Sequence, residues 1–210
     1  MVHSLMITAH SGCDNFPANS AEYISRALTL DIDALEIDIR RNVDGRLILT
    51  HNPPQNGKEY MTLHEAFDMI RPYNMKINCD MKEPELEHDI LRAASDSGIA
   101  FERVIFTGTL TDWRKKIPSA ETWLNPEEIL PDFYSAMSDE KAECVFRLAA
   151  VHGYRAVNID FHFLTEAVRF CAGKYNLALS LWTIDDPSDI PQDISRVINI
   201  TTNYPSKITA

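Results

Sequence analysis

Short apolar runs that end in polar residues recur along the chain, and segments with helical periodicity separate most of them. The runs are almost continuously apolar, which is typical of strands that are buried on both faces. This pattern predicts eight strands: Ser4–His10, Asp33–Ile39, Met75–Met81, Arg103–Thr107, Ala120–Leu124, Ala156–Asp160, Leu177–Ile184 and Val197–Thr201. It also predicts helices at Ala21–Thr29, Leu63–Ile70, Glu85–Ser97, Thr111–Lys116, Asp139–His152 and Thr165–Lys174.

Eight strands separated mostly by helices indicate an α/β protein, and we expect one domain over residues 1–210. The arrangement favours a (β/α)8 TIM barrel, with a doubly wound open sheet as the alternative. Polar residues end several of the strands, and barrels collect their chemistry at that face. No glycine-rich phosphate loop follows the first strand, which also argues against the open sheet.

The second strand continues into a β-hairpin extension whose turn contains Asp44-Gly45, a dipeptide that favours a tight two-residue turn. If these two residues form the turn, the antiparallel ladder places Asp38 directly opposite His51, roughly 5 Å apart at Cα. Glu36 lies two residues before Asp38 and therefore on the same face. The base of the hairpin then gathers two carboxylates and an imidazole. The alternative is that these acidic residues form only the solvated face of a strand.

Six residues that are suited to catalysis lie at strand ends or on the hairpin: His10, Glu36, Asp38, His51, Asp80 and Lys82. Three carboxylates at one barrel mouth repel one another, and a divalent cation relieves that repulsion. Oxygen ligands suit Mg²⁺ or Ca²⁺ better than zinc. Two histidines are suited to act as general acid and general base, and a lysine is suited to bind an anionic group. Together these features suggest phosphoryl transfer.

Trp182 lies near the end of the seventh predicted strand. It is interpreted either as a wall of the substrate site or as barrel core, and the sequence pattern leaves both interpretations open.

The composition narrows the range of partners. The formal net charge is −11, and no basic run is present, which argues against a nucleic acid or an anionic membrane surface as a partner. No segment is long and apolar enough for stable membrane insertion, and the short first apolar run lacks the basic lead-in of a signal peptide. The four cysteines lie far apart without CxxC spacing, so we expect reduced thiols and a cytoplasmic location. The sequence leaves the oligomeric state open.

The candidate residues resemble the motifs of one family in chain order. An AHRG strand end, a PENT loop, an ELDV strand, a DG turn, an HD strand end, an E-x-K strand end and a late WTVN characterise the glycerophosphodiester phosphodiesterases, which are phospholipase-C-like TIM barrels. The corresponding segments here are Ala9-His10-Ser11-Gly12, Pro17-Ala18-Asn19-Ser20, Glu36-Ile37-Asp38-Ile39, Asp44-Gly45, His51-Asn52, Asp80-Met81-Lys82 and Trp182-Thr183-Ile184-Asp185.

This resemblance implies a metal-dependent phosphodiester hydrolase that acts on glycerophosphodiesters or a related small phosphodiester. One Mg²⁺ or Ca²⁺ would be held by the three carboxylates, and the two histidines would transfer protons. The substrate-binding residues would be Lys82, Trp182 and Ser11. The family arginine is Ser11 here, and the PENT glutamate is Ala18. The alternative is therefore a catalytically impaired relative that binds a phosphorylated ligand or a metal without turnover.

Overall fold

Eight parallel strands close into a barrel in the computed structural model, which describes residues 5–115, 117 and 120–209. The strand bounds are β1 Met6–Ala9, β2 Ala34–Arg41, β3 Leu47–Leu49, β4 Lys76–Met81, β5 Val104–Gly108, β6 Glu121–Leu124, β7 Ala156–Asp160, β8 Ala178–Trp182 and β9 Val197–Thr202. The order around the barrel is β1, β9, β8, β7, β6, β5, β4 and β2, and pairing of β2 with β1 closes it. The predicted (β/α)8 barrel is confirmed, and the open sheet is excluded because β1 and β2 pair with each other. The predicted first strand begins at Ser4, which lies outside the described residues.

Helices cover the outside of the barrel with their apolar faces turned inward. Their bounds are α1 Ala21–Ala27, α2 Leu63–Ile70, α3 Glu87–Asp96, α4 Asp139–Val151, α5 Glu166–Lys174 and α6 Pro205–Ile208. Ser20, Ser138 and Thr165 each accept a backbone N–H of the first turn, and Thr62 forms a capping box with Glu65. Among the described residues, no helix is long and apolar enough to span a membrane.

The predicted helix at Thr111–Lys116 is wrong: residues 111–115 form bends and turns, and Lys116 lies outside the described residues. Thr111 was the expected start of that helix, but its hydroxyl is used elsewhere. It donates to a carboxylate oxygen of Glu87 at 2.7 Å and accepts the backbone N–H of Glu85 at 2.7 Å. The residue therefore fastens the loop to the beginning of α3.

The hairpin register differs by one residue from the prediction. Strand β3 pairs with β2 so that Ile39 faces Leu49, and the backbone N–H of Thr50 donates to the carbonyl oxygen of Asp38 at 2.9 Å. Asp38 therefore lies opposite Thr50, and the expected pairing of Asp38 with His51 is wrong.

The physical reason for the shift is a three-residue loop, 43–45, in place of a two-residue turn. Only Gly45 has positive φ, at 81°, whereas the two-residue Asp-Gly turn needs positive φ at both positions. The side-chain oxygen of Asn42 accepts the N–H groups of Asp44 and Arg46 at 3.0 and 2.9 Å. Asn42 thus stabilises the longer loop, which is a common hairpin geometry.

The barrel interior is apolar near the amino ends of the strands and polar above that level. Ile105, Trp123 and Ala156 form a small buried cluster at the lower level. Above it, side chains bond in a chain around the interior, with Thr8 donating to Asn199, Asn199 to Ser180, Ser180 to Asn158, and Asn158 to Asn125, at 2.7–3.0 Å. This satisfied polar layer forms a floor below the carboxyl ends of the strands.

Candidate active site

Glu36, Asp38 and Asp80 converge at the carboxyl end of the barrel. Glu36 and Asp38 alternate along β2 and point inward, and β4 pairs with β2 in a register that places Asp80 beside Asp38. One carboxylate oxygen from each residue lies within 4.8 Å of the other two. Glu36 is 6% exposed and Asp38 is 1% exposed. The predicted convergence of three carboxylates is therefore present in the structure.

Asp38 is the most heavily bonded member of this triad. Its Oδ2 accepts the Ser11 hydroxyl at 2.9 Å and the Asn19 amide at 2.7 Å, and its Oδ1 lies 2.9 Å from Nζ of Lys82. Burial alone would raise the pKa of Asp38, but Lys82 and these hydrogen bonds outweigh burial and hold it below its ordinary value. Lys82 also pairs with Asp80, and the two carboxylates raise the pKa of the lysine despite its burial. Asp38 is therefore a fixed negative charge.

Glu36 has the opposite character. Burial, followed by repulsion from Asp80 and Asp38, raises its pKa well above the ordinary value. The charge of Lys82 opposes this rise only in part, and Nε2 of the His10 imidazole lies 3.8 Å from Oε1 of Glu36. A third negative charge at this point is unfavourable without a further cation. The donor set of three carboxylates therefore fits one hard divalent cation.

Asp80 is held by β5. The Thr107 hydroxyl lies 3.2 Å from Oδ1 of Asp80 and 2.9 Å from the side-chain oxygen of Asn78. Gly108 follows with φ of 78°, and a Cβ on it would collide with the carbonyl oxygen of Met81 and with Oδ1 of Asp80. Glycine is required here because the backbone of β5 closely approaches the acidic group.

A cavity of about 320 Å³ lies above the triad and has two sides. The first, which we call the acidic wall, consists of His10, Glu36, His51, Asp80 and Lys82, with Asp38 behind them. The second, which we call the amide–aromatic wall, consists of Asn125, Glu127, Asn158, Trp182 and Thr183.

His51 reaches this cavity although its predicted pairing is wrong. The ladder of β3 ends at Leu49, and His51 lies in a bend, so the alternation of the strand no longer sets its direction. Its carbonyl oxygen accepts Nε of Arg40 at 3.0 Å, and Arg40 also lies 3.5 Å from Glu83. The backbone of the bend is therefore anchored to β2.

Comparison with known proteins extends the resemblance beyond the motifs. No protein-family model matches the chain. A glycerophosphodiester phosphodiesterase of Caldanaerobacter subterraneus is 23% identical over 245 residues, which cover 97% of this chain and 96% of that protein. The chain resembles the glycerophosphodiester phosphodiesterases.

Solved structures of glycerophosphodiester phosphodiesterases share the fold. The enzyme from Agrobacterium tumefaciens has a TM-score of 0.73 at 16% identity, with 99% of this chain and all (100%) of that chain covered. A phosphodiesterase from Oleispira antarctica, solved with the product sn-glycerol-3-phosphate, has a TM-score of 0.72 at 18% identity, with 97% and 95% covered. The likeness therefore extends over the whole barrel.

The two departures from the glycerophosphodiester phosphodiesterase motifs lie close together. Ser11 is 8% exposed, and its hydroxyl donates to Asp38, behind the residues that line the cavity. Ala18 is exposed, and a Cβ on Gly12 would come within 3.0 Å of its Cα. An arginine and a glutamate at positions 11 and 18 would therefore be neighbours.

Asn19 and Glu127 were not assigned roles by sequence reasoning. Asn19 accepts the N–H of Asp38 at 2.9 Å while its amide donates to the Asp38 carboxylate. In the sequence, the only signal for Asn19 was its place in the PENT-like loop. In the structure its φ is 57°, a conformation that asparagine tolerates better than most residues. Glu127 lies in a short 3-10 turn after β6 and carries no motif. The sequence left open whether Trp182 is a wall of the site or part of the barrel core. It lines the cavity, and its ring centroid lies 6.1 Å from that of Tyr134.

Proposed function

We propose that this protein is a phosphoric diester hydrolase that cleaves glycerophosphodiesters or a related small phosphodiester with the help of one divalent cation. The observation that carries the proposal is the convergence of three carboxylates, two histidines and one lysine on a single cavity in a chain that resembles the glycerophosphodiester phosphodiesterases along its whole length. We take residues 1–210 to form one such domain.

In this proposal Glu36, Asp38 and Asp80 hold Mg²⁺ or Ca²⁺. When bound, the cation supplies positive charge that offsets the charge of the phosphodiester. His10 and His51 transfer protons: one removes a proton from the attacking water or substrate hydroxyl, and the other protonates the oxygen of the departing alcohol. The bond from phosphorus to the nucleophile oxygen forms as the bond to the alcohol oxygen breaks.

Substrate binding is assigned to Lys82, Trp182 and Ser11. Lys82 offers a positive charge to a phosphate oxygen, although it is already shared by two carboxylates. Trp182 offers its indole ring, which lines the cavity. Ser11 acts through Asp38, to which its hydroxyl is bonded.

The decisive experiment compares metal binding and turnover in matched variants. Calorimetry with Mg²⁺ and Ca²⁺ should show one site in the wild type, lost in Glu36→Gln while the fold persists. Glu22→Gln, which makes the same change at an exposed position on α1, should bind as the wild type does. Turnover of glycerophosphodiesters should require the metal and stop with EDTA. Unchanged metal affinity in Glu36→Gln would overturn the site assignment.

A catalytically impaired protein that binds a phosphorylated ligand or a metal without turnover is the second candidate. The observation in its favour is that the side chain at position 11, an arginine in the family motif, is bonded to Asp38 instead of facing the cavity. Metal-dependent ligand binding without product formation, across a panel of phosphodiesters, would support it.

A cytoplasmic location accompanies the proposed function. Cys13, Cys79, Cys144 and Cys171, all within the described residues, are free thiols. Proteins in reducing compartments keep their thiols in this state.

A further inference from the structure

Glu127 is held at the cavity by the polar layer of the barrel. The 3-10 turn Pro126–Glu128 begins directly after Asn125. The side-chain oxygen of Asn125 accepts the amide of Asn158 from β7 at 2.9 Å. This bond fixes the start of the turn above the floor of the barrel and places Glu127 in the amide–aromatic wall.

The carboxylate of Glu127 has no cationic partner among the described residues. Its Oε2 is buried and has no hydrogen-bond partner among the described residues. Burial is the main cause of its raised pKa, a hydrogen bond from its own backbone opposes that effect, and the charges of Glu128, Asp80 and Asp160 add to it.

Each of those acidic neighbours already has a partner of its own. Glu128 accepts the N–H of Leu110, Asp80 pairs with Lys82, and Asp160 lies 2.7 Å from Nδ1 of His162. Among the described residues, no cationic side chain lowers the pKa of Glu127 in turn.

The surroundings of Glu127 suit a cationic group better than an anionic one. Trp182 and Thr183 lie on the same wall, and Tyr134 packs edge-on against Trp182. An indole ring attracts an organic ammonium group through its π face, and a half-buried carboxylate such as that of Glu127 attracts it through charge. A phosphate would be repelled here and would lie nearer to Lys82, so the alcohol end of a bound diester would face Glu127.

We propose that Glu127 selects phosphodiesters whose alcohol carries an ammonium group, an inference that rests on the proposed function of the cavity. The ammonium supplies the missing counter-charge and lies between the carboxylate and the indole of Trp182. Glu127 is thus a specificity-determining residue on the wall opposite the proposed metal site.

The test compares two diesters that differ at one position: glycerophosphoethanolamine and glycerophosphopropanol, in which a methyl group replaces the ammonium. The wild type should prefer the ethanolamine ester by about ten- to hundredfold in kcat/KM, the range expected for a hydrogen bond to a charged group. Glu127→Gln keeps the shape and removes the charge, so it should lose most of this preference while turnover of the propanol ester changes little. Glu128→Gln is the matched control and should keep the preference.

Two results would overturn the proposal: an equal preference in wild type and Glu127→Gln, or a fall in turnover of both esters by the same factor in Glu127→Gln. If the wild type cleaves neither ester, the proposed function fails, and binding then decides this inference separately. In calorimetry with Mg²⁺ present, the wild type should bind ethanolamine phosphate more tightly than propyl phosphate, and Glu127→Gln should not discriminate. Equal wild-type affinity for the two monoesters would overturn it without reference to turnover.

Discussion

In the acidic wall two of the three carboxylates share the charge of Lys82, whereas the carboxylate of the amide–aromatic wall has no cationic partner among the described residues. Asp38 and Asp80 share Lys82, and Glu36 faces His10. Across the cavity, Oε2 of Glu127 is buried without a hydrogen-bond partner among the described residues. From this difference we propose that the acidic wall binds the phosphate and transfers protons, and that the other wall binds the alcohol.

The largest expected effect concerns the two histidines of the acidic wall, to which proton transfer is assigned. Replacing His10 or His51 by alanine should lower kcat/KM by about 10²–10⁴, because each would serve as general acid or base. The wild-type dependence of kcat/KM on pH should be bell-shaped, and each variant should lose one limb. The double variant should be little worse than a single one if the two act as a unit.

His64→Ala is the control for the histidine variants, since this residue is exposed on α2, away from the cavity. A rate close to that of the wild type in His51→Ala would remove His51 from the acidic wall.

The next effect concerns the support of Asp80. A non-glycine residue at positive φ costs about 1–3 kcal/mol. Gly108→Ala should lower the free energy of unfolding by more than that, because the added Cβ also collides with Asp80 and Met81. Gly45→Ala is the matched control: its φ is 81°, and nothing lies within 4 Å of the added Cβ. Chemical denaturation of both variants measures the difference. Equal losses would show that β5 relaxes without disturbing the acidic wall.

A smaller effect follows from the pKa of Glu36. Its pKa is raised in the folded state by burial and by Asp80 and Asp38, so its ionisation costs stability as pH rises above the ordinary value of 4.5. Without metal, Glu36→Gln should therefore melt a few degrees above the wild type at pH 7 to 8. The advantage should vanish below about pH 4, where the glutamate is neutral in both states.

Added Mg²⁺ or Ca²⁺ should reverse the order of stability in this comparison. Under the proposed function the ion binds only the folded wild type, so the Tm of the wild type should rise, and that of Glu36→Gln should not. A Tm of Glu36→Gln at or below that of the metal-free wild type at neutral pH would contradict the unfavourable ionisation of Glu36.

The smallest effect tests whether the departures at positions 11 and 18 are coupled. Ser11→Arg alone should gain little kcat/KM on glycerophosphocholine, because Asp38 is already bonded to Lys82 and Asn19 and a buried arginine would have no carboxylate of its own. Ser11→Arg with Ala18→Glu should gain more than the sum of the single changes, up to about one or two decades for a charge-assisted phosphate contact. A double-mutant cycle measures the coupling. Strictly additive effects would show that the two positions act independently.

Most of the acidic wall was predictable because its residues follow local rules. The alternation of Glu36 and Asp38 needs only the period of a strand, and Asp80 needs only the end of the next strand of the barrel. The pairing of Asp38 with His51 failed because a side chain, that of Asn42, lengthened the turn by one residue. Backbone propensities of Asp-Gly alone do not contain that interaction.

The sequence by itself determined the alternation of strands and helices, the caps and the polar strand ends, since each depends on residues only a few positions apart. Tertiary structure decided what those strand ends meet. Closure of the barrel brings Glu127 to the same cavity as Asp80, 47 positions earlier in the chain, and turns Ser11 toward Asp38. Contacts of this range depend on strand order, register and loop geometry together. The acidic wall was therefore predictable from motifs, whereas the unpaired carboxylate opposite it emerged only from the folded barrel.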